Sequence, residues 1–156
     1  MEDNKLLVCE NIVEHFDVSS PFGKKNIVHA VDDVSLYINK GETLGLVGES
    51  GCGKTTFGRT LLRLYQPTSG KIIYDGKVIF DSKNNISVNM LPYRRKMQII
   101  FQDPSASLDP RMTVGEIIGE ALDIHGLYKG KNNRKARIGE LLQRVPMEEP
   151  STSKQT

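Results

Sequence analysis

The chain has 156 residues, 38% of them hydrophobic, which suits one globular domain with a sizeable buried core. Its 21 Lys and Arg against 19 Asp and Glu leave a net charge of +2, too small for the broad positive field that grips nucleic acid, so no nucleic-acid partner is expected. No run reaches the roughly 20 apolar residues that cross a bilayer, and the first residues lack a signal-peptide pattern, so a cytoplasmic location is expected.

The first part of the chain shows two strand patterns and then a short apolar run. Residues 6–10 predict a first strand, and the alternation of apolar and polar residues over 34–38 predicts a second, half-buried strand. Residues 43–47 are almost wholly apolar, which predicts a strand buried on both faces of a parallel sheet. The two cysteines, Cys9 and Cys52, are too few for a disulfide framework and are expected to be free thiols.

A helix and a hairpin follow. Apolar residues recur at helical spacing from Lys54 onward, until the turn formers of residues 67–70 end the pattern. Residues 71–80 are strand-like except for Asp75 and Gly76, and a two-residue Asp-Gly link between strand patterns strongly favours a β-hairpin. We therefore expect an antiparallel β arm here.

The second half of the chain combines a predicted strand, a loop and two helices. Residues 97–101 predict another apolar strand, and residues 102–111 form a loop rich in turn formers. A Thr-x-x-Glu capping box begins at Thr113 and predicts a helix N-terminus. Residues 138–145 have the apolar spacing of a further helix, and residues 146–156 predict a disordered tail.

A phosphate-binding loop is predicted at residues 48–56, which match the pattern G-x-x-x-x-G-K-[ST] between a predicted strand and a predicted helix. Glycines there permit backbone conformations that turn N–H groups inward around a phosphate. Lys54 is expected to bring a positive charge to the β and γ oxygens, Thr55 to offer its hydroxyl to Mg²⁺, and Thr56 to reach the α-phosphate. The predicted binding residues are Gly48, Glu49, Ser50, Gly51, Cys52, Gly53, Lys54, Thr55 and Thr56.

With these motifs, the chain resembles the N-terminal portion of an ABC-transporter ATPase, most closely the subunits that power oligopeptide and dipeptide importers. The resemblance spans roughly residues 5–145, and the stretch after Gln102 points to the peptide-importer branch. It implies an α/β fold that is incomplete. This fold would consist of a P-loop NTPase (RecA-like) core with an antiparallel β arm and the start of a helical subdomain. It is carried by residues 31–38 with the phosphate loop, 67–70 with the hairpin, and 100–114.

The resemblance also assigns domains. It implies a partial ABC ATPase domain over residues 1–145, followed by the tail. Within it, residues 1–101 hold the β arm and P-loop core, 102–112 the Q-loop and 113–145 the start of the helical subdomain.

Two further site residues come from the resemblance alone. Gln102 stands at the position of the Q-loop glutamine, which implies contact with Mg²⁺, shared with Thr55, and with the attacking water. Phe16 stands where the family places an aromatic side chain that stacks on adenine, and His15 is the other candidate for that position. Without the family, Gln102 is as readily a polar residue at a strand end, and Phe16 a core residue.

The resemblance implies ATP and Mg²⁺ as cofactors and a peripheral location on the inner face of the cell membrane. The implied partners are membrane-spanning permease subunits and a second ATPase subunit, in a homo- or heterodimer. The implied function is to couple ATP binding and hydrolysis to the import of peptides or similar small solutes.

The sequence departs from the family after the Q-loop, because it contains no LSGGQ-type signature, Walker B strand or switch histidine. Asp81 follows an apolar run but precedes Gln102, and is expected to be a solvated turn residue. His125 is expected to lie at a helix C-terminus. No catalytic residue is assigned, so turnover by this chain alone is not expected, and the alternatives are a truncated, non-hydrolysing nucleotide-binding module or an inactive fragment.

Overall fold

The computed structural model describes residues 4–18, 26–103 and 107–144. The chain divides into two compact units, Met1–Gln98 and Ile99–Thr156. The predicted tail at residues 146–156 lies outside the described residues.

The described residues of the first unit form an antiparallel sheet of five strands and one helix, with the strands in the order β2-β1-β3-β4-β5. The predicted first and second strands are confirmed, and both are longer than predicted, at 13 residues each. Helix α1 begins at Lys54, as predicted. The elements are β1 (Lys5–Asp17), β2 (Ile27–Asn39), α1 (Lys54–Leu61), β3 (Ser69–Tyr74), β4 (Lys77–Asp81) and β5 (Ile86–Ser87).

The predicted hairpin is confirmed in β3 and β4, which pair antiparallel with Tyr74 opposite Lys77. Asp75 and Gly76 form the turn, and their φ angles of 48° and 73° are both positive, as a tight two-residue hairpin turn requires. The Asp75 carboxylate also lies 2.7 Å from the ammonium of Lys40, at the end of β2.

The core of the first unit lies between the sheet and α1. Burial switches phase along β1, because an irregularity beside Asn11, whose φ is 49°, separates two inward-facing residues, Cys9 and Ile12. Burial raises the pKa of the Cys9 thiol, and both Cys9 and Cys52 are free, as predicted. The buried hydrophobic residues are Leu7, Cys9, Ile12, Val31, Phe57, Leu61, Ile72, Ile79, Phe80, Met90 and Met97.

The strand predicted at residues 43–47 as part of a parallel sheet and the apolar strand predicted at residues 97–101 are both absent from the described residues, so these two predictions are wrong. Residues 43–47 are irregular and Val47 is 94% exposed; residues 98–101 are also irregular, and Ile100 is 95% exposed. An apolar run forms a stable strand only where neighbouring strands take up its backbone hydrogen bonds and cover its faces. The described sheet provides no such neighbours, because its five strands pair only with one another.

The prediction that Asp81 is a solvated turn residue is also wrong. Asp81 ends β4 at only 4% exposure, rather than lying solvated in a turn. Its carboxylate accepts hydrogen bonds from the backbone N–H of Lys83 (3.0 Å) and of Asn84 (3.1 Å), and from the Asn84 side chain (2.8 Å). The Asn84 side chain, with these N–H groups, lowers the pKa of Asp81. The residue therefore closes the turn between β4 and β5 as an internal acceptor.

In the second unit, the part that the structure describes contains two helices, α2 (Val114–Ile124) and α3 (Lys131–Gln143). The capping box is confirmed: the Thr113 hydroxyl accepts from Glu116 N–H at 3.3 Å, and the Glu116 carboxylate accepts from Thr113 N–H at 2.7 Å. His125 is the C-cap of α2, as predicted. Among the described residues, no helix combines the length and apolar character needed to cross a membrane.

The two helices are joined by an ion pair. The Arg134 guanidinium donates two hydrogen bonds of 2.9 Å to the Asp123 carboxylate, and the Tyr128 hydroxyl donates to the same carboxylate. The guanidinium and then the Tyr128 hydroxyl lower the pKa of Asp123. Leu122 of α2 and Ile138 of α3 are both buried.

Candidate phosphate-binding site

The glycine-rich loop connects the exposed segment after β2 to α1. Gly51 and Gly53 have φ angles of 83° and 92°, in the left-handed region that residues with a Cβ rarely adopt. Gly53 also lies against β2: a Cβ built on it would come 2.2 Å from the carbonyl oxygen of Ala30. A Cβ on Gly48 would lie 2.6 Å from the Cys52 sulfur. Gly53 is therefore required by both backbone conformation and space, and Gly51 by backbone conformation alone.

Helix α1 begins in a way that leaves its first N–H groups available. Its N-cap is Gly53, which has no side chain to cap the helix, and its first turn carries no acidic residue. The first intrahelical bond runs from Phe57 N–H to the Gly53 carbonyl at 2.8 Å, so the N–H groups of residues 54–56 have no acceptor within the helix. These groups, with the positive end of the helix dipole, suit an anion such as phosphate.

The ammonium of Lys54 lies inside the curve of the loop. It donates to the carbonyl oxygens of Gly48 at 2.7 Å and Glu49 at 2.5 Å, and lies 3.4 Å from the Cys52 sulfur. The positive charge of Lys54 therefore lies among the residues of the loop. The next residue along the chain, Thr55, is exposed. This arrangement brings together a cation, free amide groups and a hydroxyl, the three kinds of group predicted for a Mg–triphosphate.

The opposite face of α1 fixes the loop to the sheet. Phe57, Thr60 and Leu61 are buried, and the Thr60 hydroxyl donates to the carbonyl of Thr56 at 2.9 Å. The same hydroxyl lies 3.4 Å from the carboxylate of Glu14, on β1. Burial raises the pKa of Glu14, and the Thr60 hydroxyl partly opposes this. The position of the loop therefore depends on core packing that the motif itself does not contain.

An open groove of about 380 Å³ is lined by residues of both the loop and β2. His29 and Asp32 lie on its β2 side, and Lys54 lies on its loop side. Val47, mostly exposed, and the buried Phe57 add apolar surface. The groove gives a ligand of the loop access from solvent.

Phe16 and His15 lie at the end of β1. The ring of Phe16 packs edge-on against Tyr65, with centroids 5.2 Å apart, and the Tyr65 hydroxyl accepts from Arg59 at 3.0 Å. Phe16 is half-buried. Its stacking on adenine stays a prediction. His15 faces a different group, because its ring lies 3.9 Å, centroid to centroid, from that of His29.

Gln102 belongs to the second unit, where its side chain is exposed on an irregular segment. Its predicted contact with Mg²⁺, shared with Thr55, stays a prediction.

One cluster of side chains was not predicted from the sequence. His15, His29 and Asp32 each offer a ligand atom, and these atoms all lie within 4.8 Å of one another. Only the pairing of β1 with β2 brings the three together, so no local pattern in the sequence indicated them.

Comparison with known proteins identifies the class that this fold and loop define. The sequence profile of the ABC transporter family matches residues 31–156, most of the chain. The chain therefore belongs to the ABC transporter family.

Curated relatives narrow the class. The chain is 52% identical, over 141 residues, to the oligopeptide transport ATP-binding protein OppF of Bacillus subtilis, covering 90% of this chain and 44% of that protein. It is 47% identical, over 135 residues, to the dipeptide transport ATP-binding protein DppF of Lactococcus lactis, covering 85% and 42%. The chain thus spans less than half the length of these relatives.

A solved structure shares the fold. The ATP-binding cassette MJ0796, described as a dimer in a post-hydrolysis state bound to ADP and Pi, is 25% identical and superposes with a TM-score of 0.63. The match covers 88% of this chain and 56% of that one. The predicted α/β fold, seen here as a partial ABC ATPase domain, is confirmed at this level.

Proposed function

We propose that the chain is the ATP-binding part of an ABC importer ATPase for peptides or similar small solutes, which couples ATP binding and hydrolysis to transport. One observation carries the proposal: the Lys54 ammonium and the uncapped start of α1 lie together in a loop whose glycines, Gly51 and Gly53, adopt left-handed φ angles. The choice of peptides is supported by the names of the relatives, which are oligopeptide and dipeptide transport ATP-binding proteins.

The loop's own residues supply the binding chemistry. Lys54 neutralises the β and γ oxygens, the N–H groups at the start of α1 bind phosphate, and Thr55 offers a hydroxyl to Mg²⁺. Bound Mg²⁺ would neutralise charge on the phosphates. To reach a phosphate, the Lys54 ammonium exchanges at least one of its carbonyl partners, Gly48 or Glu49, for a phosphate oxygen. We further propose that Gln102 contacts Mg²⁺ and that Phe16 stacks on adenine.

The proposed partners are membrane-spanning permease subunits and a second ATPase subunit, identical or related. The proposed location is the cytoplasm, peripheral on the inner face of the cell membrane. Charge balance supports protein partners rather than nucleic acid, because a net charge of +2 provides little attraction for a polyanion.

We also propose that this chain on its own binds ATP without appreciable turnover. The sequence supplies no Walker B carboxylate, and Asp81, the nearest imitation, is buried and already accepts three hydrogen bonds. A general base must be able to reach the attacking water, which the buried Asp81 cannot do. This leaves a non-hydrolysing nucleotide-binding module as the second candidate function.

Calorimetry and a phosphate-release assay on the purified chain test both proposals. We expect saturable binding of Mg–ATP, weaker binding of Mg–AMP, and no phosphate release above background. Equal heats for Mg–ATP and Mg–AMP would contradict a triphosphate site. Phosphate release that depends on Lys54 would contradict the absence of turnover and favour a complete ATPase.

A further inference from the structure

The cluster of His15, His29 and Asp32 forms a group that the phosphate loop does not use. His15 on β1 lies directly opposite His29 on β2, and their ring centroids are 3.9 Å apart at an interplanar angle of 46°. Asp32 lies three residues further along β2. Ligand atoms of the three side chains lie within 4.8 Å of one another.

A bulge in β2 explains why Asp32 joins the two histidines. Glu14 pairs with Val31 and the next residue, His15, pairs with His29, so Ala30 is an extra residue on β2. Side chains alternate along a regular strand, which would place residues 29 and 32 on opposite faces. One extra residue reverses the alternation and brings both to the same face.

His15 has an unused ring nitrogen. Its Nε2 is enclosed by protein and has no hydrogen-bond partner among the described residues. Its backbone is fixed, because its N–H donates to the Thr68 hydroxyl at 3.0 Å. A buried ring nitrogen without a partner is uncommon, since most buried polar side-chain atoms are hydrogen-bonded. His29 and Asp32, in contrast, are exposed to solvent.

We propose that His15, His29 and Asp32 bind a divalent transition-metal ion of the Zn²⁺ type. Two imidazoles and one carboxylate are a ligand set that zinc accepts with three protein ligands, the fourth position being left for water. Imidazole favours zinc and its transition-metal neighbours over Mg²⁺ and Ca²⁺, which prefer oxygen ligands. The carboxylate offsets part of the charge of the ion.

The geometry allows this with small movements. Zinc–nitrogen bonds of about 2.0–2.1 Å place tetrahedral ligand atoms roughly 3.3 Å apart. The present separations are within 4.8 Å, and rotation of the exposed His29 and Asp32 side chains would bring the ligand atoms to that spacing. The ion would join the end of β1 to β2, and it is distinct from the Mg²⁺ proposed to accompany ATP.

Metal titration of the full chain tests this proposal. The protein carries no histidine tag, is stripped of metal, and contains no nucleotide, because nucleotides chelate divalent ions. Zn²⁺ is titrated by calorimetry, and Co²⁺ by its visible absorption, which reports tetrahedral coordination. We expect one ion per chain and a higher melting temperature with Zn²⁺.

Variants identify the ligands. His29→Ala and Asp32→Asn should each weaken Zn²⁺ binding at least about tenfold, since loss of a mere outer-shell partner already costs about 10- to 100-fold. His125→Ala removes the one other histidine of the chain and Cys52→Ser removes the exposed thiol, and both should leave Zn²⁺ affinity unchanged.

The variants are chosen to remain folded, because His29 and Asp32 are both exposed. Far-UV circular dichroism verifies this for each protein. The proposal is overturned if the unaltered chain does not bind Zn²⁺, or if His29→Ala and Asp32→Asn bind it as tightly as the unaltered chain. Neither result bears on the proposed ATP site, because ATP binding is measured in separate titrations that contain Mg²⁺ and no Zn²⁺.

Discussion

Gly53 lies against the carbonyl oxygen of Ala30, so close that a Cβ on Gly53 would come within 2.2 Å of that oxygen. This contact joins the phosphate loop to β2. The φ of 92° at Gly53 adds a second requirement for glycine. The loop is therefore shaped by its neighbour in the sheet as well as by its own sequence.

The first prediction concerns Gly53→Ala. The new Cβ must displace the Ala30 carbonyl and adopt a left-handed φ, which costs at least about 1 kcal/mol of folding free energy. We expect lower stability in urea melts and at least several-fold weaker Mg–ATP binding. The control is Gly58→Ala in α1, where a Cβ meets nothing within 4 Å, so that stability rises by up to about 1 kcal/mol. Equal effects of the two substitutions would contradict the contact.

The second prediction concerns Glu14, whose pKa is raised by burial. A raised carboxyl pKa means that the folded chain binds this proton more tightly than the unfolded chain does. The contribution to stability is therefore fully present below the ordinary glutamate pKa of about 4.3, and it is lost as the pH rises through the raised pKa of the folded chain.

Glu14→Gln tests this, because glutamine keeps an acceptor for Thr60 without a charge. We expect the variant to be more stable than the unaltered chain at neutral pH, with the difference shrinking in acid. Urea melts from about pH 4 to about pH 8 measure it. Glu120→Gln, at an exposed position of α2, is the matched control. A Glu14→Gln difference that does not vary with pH would refute the raised pKa.

The third prediction tests the exposure of residues 43–47. Val47 is 94% exposed, so Val47→Thr should change the free energy of unfolding by less than about 0.5 kcal/mol. The matched substitution Val31→Thr, at a residue only 5% exposed, places a hydroxyl in the core and should cost at least about 1 kcal/mol. If Val47→Thr destabilised the chain as much as Val31→Thr, residues 43–47 would be a buried strand after all.

The fourth prediction concerns the capping box of α2. Thr113→Ala removes the hydroxyl that accepts from Glu116 N–H and should cost about 1 kcal/mol, because that N–H then keeps only the Thr113 carbonyl, 3.0 Å away. Hydrogen exchange at Glu116 should accelerate several-fold. Thr43→Ala, at an exposed threonine outside any helix or strand, is the control. Unchanged exchange at Glu116 would show that this cap does not protect the helix.

Local patterns in the sequence predicted local structure. The Asp75-Gly76 turn and the Thr113 capping box each depend on residues within a few positions of one another, and both are present in the structure. The start of α1 at Lys54 also depends on neighbouring residues, because Gly53, directly before it, is the N-cap of the helix. The binding loop was therefore predictable, although the assignment of its residues to phosphates and Mg²⁺ stays a prediction.

Features that depend on distant neighbours were not predictable. Residues 43–47 have a strand's composition, but a strand exists only with partners, which composition does not reveal. Asp81 looked solvated because its burial comes from the surrounding fold. The cluster of His15, His29 and Asp32 depends on a one-residue bulge, and a shift of one residue moves side chains to the other face.

Lys54 provides the most direct test of the proposed ATP site. Hydrogen bonds to a charged group are worth about 1.5 kcal/mol or more, so Lys54→Ala should weaken Mg–ATP binding by at least about tenfold. Lys83→Ala, at an exposed lysine in the turn after β4, is the control and should bind as the unaltered chain does. Calorimetric titration of the three folded proteins with Mg–ATP decides the matter: a loss confined to Lys54→Ala is the predicted result, and equal affinity in all three would contradict the site.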